Sequence, residues 1–285
     1  MLKKKNDWKK INNPKVAIQI HIYYSELIGE TIRILNNIPI PFDLFISTDS
    51  IPKKNLIQSK LHDIKNVKAA EILIYENKGR DVAPFITQMS NCVDCYDYVC
   101  HIHTKKSKHL KIFSSGDEWR EYLFDNLLGS EEFVKSIIEI FDNNPDLGII
   151  CPHTFKPMAP WVEWGKNFKT VNLLIEKTCK TELELPDKPD FPVGNMLWLR
   201  SSAVNNLFIS GIQMADFEDE MGQLDGTLAH SIERSWFYIA NSNGYSSLHY
   251  NYHKQPVKYY PDYCLASLEK TAVSLIRIMT NLRKQ

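Results

Sequence analysis

No stretch of this 285-residue sequence approaches the ~18 consecutive apolar residues of a membrane-spanning helix. The basic start, Met1-Leu-Lys-Lys-Lys-Asn-Asp-Trp-Lys-Lys10, has no apolar run behind it and does not read as a signal peptide. An excess of one charge is missing too. Lys plus Arg and Asp plus Glu number 34 each, so no global field draws the chain to nucleic acid, and any basic patch is local. Six cysteines make no disulfide framework in a chain this long, and the lone pair Cys92-x-x-Cys95 has no second pair to complete a zinc site. Reduced thiols are expected, with Cys100 and Cys151 acting as small hydrophobes in apolar runs. Internal repeats and low-complexity tracts are absent as well. These absences leave a cytoplasmic globular protein, with peripheral contact at the inner face of a membrane as its one expected membrane association.

The composition that remains is ordinary, 44% apolar and 24% charged. A chain of this length buries about 75% of the surface it exposes when unfolded, so it needs no staple. Strand-like runs alternate with helical ones. Val16 to Tyr24, Phe42 to Ser47, Ala70 to Tyr75 and Tyr98 to Ile102 read as strands. Between them lie an amphipathic stretch carrying Leu27, Ile28, Ile32 and Leu35, a helix near Lys53 to His62, and another over Val82 to Met89. The alternation predicts βαβ units, an α/β fold with a mostly parallel central sheet flanked by helices, and right-handed crossovers. After Ser107 come helices opening at Gly116 and Ser130, then strands at Leu147 to Cys151 and Gly194 to Arg200. A helix from Gly226 to about Ala240 and a strand over Tyr245 to Tyr250 follow. Met158 to Pro192 read as a long Pro-rich irregular loop, and Leu268 to Gln285 as an amphipathic helix.

In an open α/β sheet, ligands sit beyond the carboxyl ends of the strands. Four strand ends carry polar or charged residues there. The fourth empties into His101-Ile-His-Thr-Lys-Lys-Ser107. In one reading His103, Lys105 and Lys106 neutralise a diphosphate without a metal. One cation about 4 Å from a phosphate oxygen contributes roughly 4 kcal/mol at an effective dielectric near 20. In another, His101 and His103 share a strand face and ligate a metal, as in a hydrolase. The adjacent lysines and the lack of clustered acidic ligands oppose that reading. The third strand ends in Asn77-Lys-Gly-Arg-Asp81, where Gly79 permits a positive φ and Asp81 can cap the next helix or pair with Arg80. His21 and Thr48-Asp49 mark the first two strand ends. Further on, Asp225 can cap the helix beginning at Gly226, and His230, Glu233 and Arg234 share a face of it. Asp225 or Glu220 could remove a proton from an acceptor hydroxyl.

Four ordered motifs carry a likeness. Asn77-Lys-Gly-Arg-Asp-Val-Ala-Pro-Phe85, His101-Ile-His-Thr-Lys-Lys-Ser107, Gly194-Asn-Met-Leu-Trp-Leu-Arg200 and Asp225-Gly-Thr-Leu-Ala-His-Ser-Ile-Glu-Arg234 resemble the rhamnan synthesis protein F family over roughly Lys15 to Tyr250. The resemblance implies a glycosyltransferase of the glycosyltransferase A architecture, Rossmann-like, that builds bacterial surface polysaccharide. It implies a domain over residues 15–265, with a nucleotide-sugar half at 15–110 and an acceptor half at 111–265, before a C-terminal helix at 266–285. The implied donor is a nucleotide sugar, dTDP-linked L-rhamnose, and the acceptor a glycan or lipid-linked glycan. His21, Thr48, Asp49, Asn77, Gly79, Arg80, Asp81, His101, His103, Lys105 and Lys106 are then expected at the donor, with Asp225 or Glu220 as base and inversion at the anomeric carbon. Trp161, Trp164, Asn195, His230, Glu233 and Arg234 are expected at the acceptor. Where that architecture usually ends its fourth strand in Asp-x-Asp, this chain has His101-Ile-His103, so neither metal nor other cofactor is expected. The rivals are the metal-dependent hydrolase and a non-catalytic glycan-binding domain of a larger assembly machine.

Overall fold

β1 (Val16–His21) and β4 (Tyr98–His103) are buried along their whole length. Strands buried on both faces are the mark of a parallel sheet covered on each side, and β-branched residues such as Val16, Ile18 and Ile20 suit that setting. The computed structural model describes residues 13–104 and 116–252, which fall in one compact unit ending at Tyr252. Lys105, Lys106, Cys264 and the expected helix at 266–285 lie outside the described residues.

The seven strands run in the order β3-β2-β1-β4-β6-β5-β7. β1, β2 (Phe42–Thr48), β3 (Val67–Ile74) and β4 are mutually parallel. β6 (Leu197–Arg200) lies antiparallel between β4 and β5 (Leu147–Cys151), and β7 (Ser246–His249) pairs in parallel with β5. The mostly parallel α/β sheet expected from the sequence is therefore present, and among the described strands β6 alone is reversed. From β1 the chain winds outward through β2 and β3, then returns to place β4 on the other side of β1. The gap between β1 and β4 is thus the switch point at which sheets of this kind open a crevice.

Helices cover both faces. α1 (Ile28–Leu35), α2 (Ile51–Lys60), α4 (Gly116–Leu128) and α5 (Glu131–Asn143) lie on the face that receives Ile20, Tyr98, Trp198 and Arg200. There Tyr98 stacks on Phe141, Trp198 donates to Leu127 O, and Arg200 donates to Phe141 O. α3 (Val82–Met89), α6 (Phe168–Cys179), α7 (Ser201–Phe208) and α8 (Leu228–Ser242) cover the other. Ala17, Val99, Leu197 and Leu199 join Phe85, Leu207, Ile232 and Trp236 in the core on that side. Each such buried side chain contributes about 1.5–3 kcal/mol.

Three local expectations change. The stretch Met158 to Pro192 is not irregular throughout, because α6 occupies its middle and buries Val171, Leu174, Ile175 and Thr178, a helical spacing masked by flanking prolines. α8 starts at Leu228 and is capped by Thr227, whose hydroxyl accepts from His230 N, so Asp225 is not its cap. Asp81 precedes α3 without a side-chain capping bond, and it does not pair with Arg80; its carboxylate is engaged elsewhere.

Candidate functional site

Strand alternation puts Gln19 and His21 of β1 and His101 and His103 of β4 on the face beneath α3 and α8. The register sets Gln19 beside His101 and His21 beside His103. Four polar residues in a sheet interior are costly unless each polar atom finds a partner. Here they form a continuous network. Ser47 Oγ lies 2.9 Å from His21 Nδ1 and accepts from Gln19 Nε2 at 3.1 Å. Gln19 Nε2 also reaches Gln88 Oε1, which leaves Gln19 Oε1 to accept from His101 Nδ1 at 2.6 Å. His101 lies flat against Phe85, with centroids 4.0 Å apart.

Asp81 is the hub. Its Oδ2 accepts from Asn195 Nδ2 at 2.7 Å and lies 3.3 Å from His101 Nε2 and 3.7 Å from His103 Nε2. Burial would raise this carboxyl, but His103 and His101, together with the Asn195 bond, hold it well below the carboxylate range. His103 donates to Gly194 O at 2.9 Å, while Gly194 N donates to Glu233 Oε1 at 2.8 Å. The peptide groups before β6 are therefore gripped from both sides. Trp236 Nε1 completes the chain by donating to Asn195 Oδ1.

Two left-handed turns meet at this hub. Gly79 and Arg80 have φ of 58° and 56°, and Gly194 and Asn195 have 97° and 53°. Non-glycine residues there are strained by roughly 1–2 kcal/mol, a cost that concentrates at functional sites. A Cβ on Gly79 would overlap the Phe217 ring and the Ala83 methyl. Gly79→Ala should therefore combine backbone strain with overpacking of about 1–3 kcal/mol. A thermal melt is expected to show it as a fall of several degrees, and an unchanged Tm would contradict the packing described.

Above the network the rim is open. Arg80, 41% exposed, donates from Nε to Glu220 Oε2 at 3.2 Å and from Nη2 to Gln223 O. Its Nη1 lies 3.2 Å from His230 Nε2. An arginine has only protons to give, so that imidazole nitrogen must accept. His230 Nδ1 then donates to Thr227 Oγ1 at 2.7 Å. Burial, with Arg80 and Arg234 beside it, lowers the His230 pKa to about 4. Lys78 bridges to Asp219 across the same loop. At the β1–β2 side of the edge, Lys53 Nζ bonds Asp49 and Tyr23 O and sits 4.4 Å from the Tyr23 ring centroid. Asn77 is exposed on the same edge.

Several expected contacts are corrected by burial. His101 is 0% exposed with both ring nitrogens engaged, so it cannot touch a ligand. His21, Thr48, His103 and Asn195 are buried as well, and His21 Nδ1, Thr48 Oγ1, His103 Nε2 and both ends of the Asn195 amide bond within the protein. Burial lowers His21 to about 4, with Asp81 opposing and His103 and His101 reinforcing the shift. Thr48 Oγ1 donates to Ile22 O, which ties the exits of β1 and β2. Trp164 is a core residue that donates to Pro186 O and packs on Tyr238, whereas Trp161 is 59% exposed. Glu233 and Arg234 also serve the framework: Arg234 donates to Glu163 O and pairs with Asp225. Among the described residues, no group of three or more His, Cys, Asp or Glu side chains is arranged to hold a metal ion.

The two candidate bases differ sharply. Asp225 Oδ2 accepts from Lys166 N at 2.8 Å, and Oδ1 accepts from Asn167 Nδ2 with Arg234 Nη2 3.4 Å away. Burial opposes its ionisation, but these donors outweigh it and hold the carboxyl below its ordinary value. Glu220 sits on the rim with the Arg80 guanidinium as its partner. Residues missed from sequence are Gln19, Ser47, Lys53 and Thr104, the last accepting from Tyr23 N and Tyr24 N to brace the β1 exit. Gln19 and His21, two residues apart in an otherwise apolar β1, were the available signal for Gln19.

Two relatives, both named uncharacterized protein WxcX, come from Xanthomonas campestris pv. campestris, one from strain B100 and one from strain ATCC 33913. Each is 31% identical over 227 residues, which is 79% of this chain and 31% of the relative. The chain thus spans about a third of the length of the curated relatives it matches. A solved structure of CMP:2-keto-3-deoxy-manno-octonic acid synthetase complexed with CTP aligns over 92% of this chain and 99% of its own, with 11% identity and a TM-score of 0.40. Among the described residues, no helix is long and apolar enough to cross a membrane. The family model described as rhamnan synthesis protein F matches residues 1–245, and the chain belongs to that family.

Proposed function

We propose that the chain is a glycosyltransferase that takes a sugar from a nucleotide-sugar donor and adds it to a growing bacterial surface polysaccharide. The observation that carries this reading is the partly exposed pairing of Arg80, next in sequence to Asp81, with Glu220; Asp81 meets His101 and His103 at the end of β4 beside the switch point. Family membership supports it, and L-rhamnose from a dTDP-linked donor is the specific sugar proposed. Arg80 is the cation for the donor diphosphate, and Lys105 and Lys106, which follow β4 in the sequence, are proposed to join it. Asp49 and Lys53 border the nucleoside. The buried histidines do not contact the donor; they and Asp81 hold the Gly79–Arg80 turn and the Gly194–Asn195 turn at fixed separation.

In the reaction, Glu220 takes the proton of an acceptor hydroxyl, and that oxygen attacks the anomeric carbon from the face opposite the diphosphate. The glycosidic C–O bond forms as the bond to the diphosphate breaks, with inversion. Protein cations stabilise the leaving charge, and no metal ion takes part. Trp161 offers its exposed ring to the acceptor sugars. The test is a thermal-shift screen of nucleotide sugars. A ligand at 100 times its dissociation constant adds ~2.7 kcal/mol, which is expected for a dTDP-sugar and expected to vanish in Arg80→Ala. If glycans shift the melt while no nucleotide sugar does, the chain is a binding domain and not a transferase.

A further inference from the structure

The loop that leads into α8, residues 217–227, turns the usual arrangement of a surface loop inside out. Its carboxylates are tied back to the protein at both ends. Glu218 accepts from Leu228 N at 3.1 Å, Asp219 bridges to Lys78 at 2.8 Å, and Glu220 pairs with Arg80. At the far end Asp225 accepts from Lys166 N and faces Arg234. Between these anchors Gln223 closes the tip: its side chain accepts from Met221 N at 2.9 Å and donates to Asp219 O at 2.8 Å. The tip, Met221-Gly-Gln-Leu224, holds Met221 at 83% and Leu224 at 76% exposed, the highest values for large apolar side chains among the described residues. Charged groups turned in and apolar groups held out by hydrogen bonds make a built surface, of the kind that marks a contact. A second segment stands beside it. Gly226 lies against the Lys166 stem, and Asn167 donates to Asp225, so Leu224 and Phe168 each adjoin one member of a bonded pair. Phe168 is 45% exposed, and the exposed Lys166 and Lys169 beside it have no carboxylate partner among the described residues. On residues 156–169, Lys156 is exposed too, and Glu163 is the one carboxylate.

We infer that these two loops seat the chain on a lipid bilayer with anionic head groups. Met221, Leu224 and Phe168 enter the boundary between head groups and acyl chains, and Lys166 and Lys169 meet the phosphates. Apolar side chains buried at that depth, with basic residues at the level of the head groups, are what holds a protein at a membrane interface. Each lysine near an anionic surface strengthens such binding about fivefold. A bilayer needs no matching cleft, so it accepts side chains that project from loop tips, whereas a protein partner needs a shaped and closely packed surface. Glu220 adjoins Met221, so the seat sets the rim of the candidate site at the membrane, where a lipid-linked acceptor would stand. That consequence rests on the transferase reading; the seat itself does not.

Sedimentation of the full chain with vesicles tests the seat. Binding is expected to vesicles of phosphatidylcholine and phosphatidylglycerol in a two-to-one ratio, and it should weaken as salt is added. The double variant Met221→Ser, Leu224→Ser should bind these vesicles at least ~10-fold more weakly. Lys166→Gln with Lys169→Gln should cost about fivefold per lysine. Both double variants should melt close to the intact chain, because all four side chains are exposed. Full binding by either double variant would overturn the inference. So would equal binding of the intact chain to phosphatidylcholine alone, or failure of the intact chain to sediment with either vesicle. Vesicles carry neither donor nor acceptor, so each of these outcomes is separate from success or failure of sugar transfer.

Discussion

Glu220→Gln is expected to lower sugar transfer by ~10²–10⁴-fold, the usual contribution of a general base, while leaving the melting temperature almost unchanged. Asp225→Asn should do the reverse. Asp225 already accepts from Lys166 N and Asn167 Nδ2 and faces Arg234, so its lone pairs are occupied and its carboxyl is held low. A group in that state is a weak base. Losing its charge costs the loop about 1.5–3 kcal/mol for each charge-assisted bond. Among the described residues Glu220 bonds Arg80, and its side chain is 22% exposed. Under the proposed mechanism, a donor diphosphate that draws the guanidinium would free that carboxylate to act as the base. Initial rates and melts on the two variants separate the roles. Full turnover in Glu220→Gln with a dead but stable Asp225→Asn would return the base to Asp225.

The order of strands and helices through β4 was legible because each strand is an apolar run bounded by turn residues. Gly79 was legible for the same local reason, since Asn-Lys-Gly-Arg between a strand and a helix calls for a positive φ, and φ is 58°. The network under the crevice was not. His101 meets Gln19 across 82 positions, and Asp81 meets Asn195 across 114. Nothing in a linear pattern tells an interior histidine with such partners from one that faces a ligand. The His-x-His pair reads as a cation cluster when only the following lysines are considered. In the fold, alternation turns both rings inward beneath α3 and α8, and among the described residues the exposed cation next to Asp81 is Arg80. Asp225 misled in the opposite way. Its place before a helix suggested a cap, whereas Thr227 takes that role and frees Asp225 to clamp Lys166 and Asn167.

The same buried rings set the largest expected effect on stability, a steep loss below neutral pH. An unfolded histidine titrates near 6.5, while His21 and His230 are lowered to about 4 in the fold. Between those values the unfolded chain binds protons that the native chain refuses, so falling pH favours unfolding. Each group then withdraws about 3 kcal/mol by pH 4, and together they approach the 5–15 kcal/mol that holds a typical domain. The cause is structural in each case. A proton on His21 would be buried beside His103 and His101, with only Asp81 and Asp49 opposing. A proton on His230 Nε2 would face the Arg80 guanidinium at 3.2 Å, with Arg234 also near and Glu220 and Asp225 as the offsetting charges. Asp81 cannot compensate in this window, because a depressed carboxylate stays ionised and its contribution is lost only at still lower pH. His249 acts on the other arm: its raised pKa adds stability that is full below 6.5 and disappears as pH rises through the folded value. A maximum near pH 6.5 follows, and Tm should fall by more than ~10 °C between pH 7 and pH 4.5 at about 2–4 °C per kcal/mol. His230→Gln keeps an acceptor for Arg80 and cannot be protonated there, so it should make the acid arm about half as steep. A flat melt from pH 7 to pH 4.5 would mean that these rings take up protons without breaking their bonds, and an unprotonated His230 accepting from Arg80 would then be the wrong account of what holds Arg80 in place.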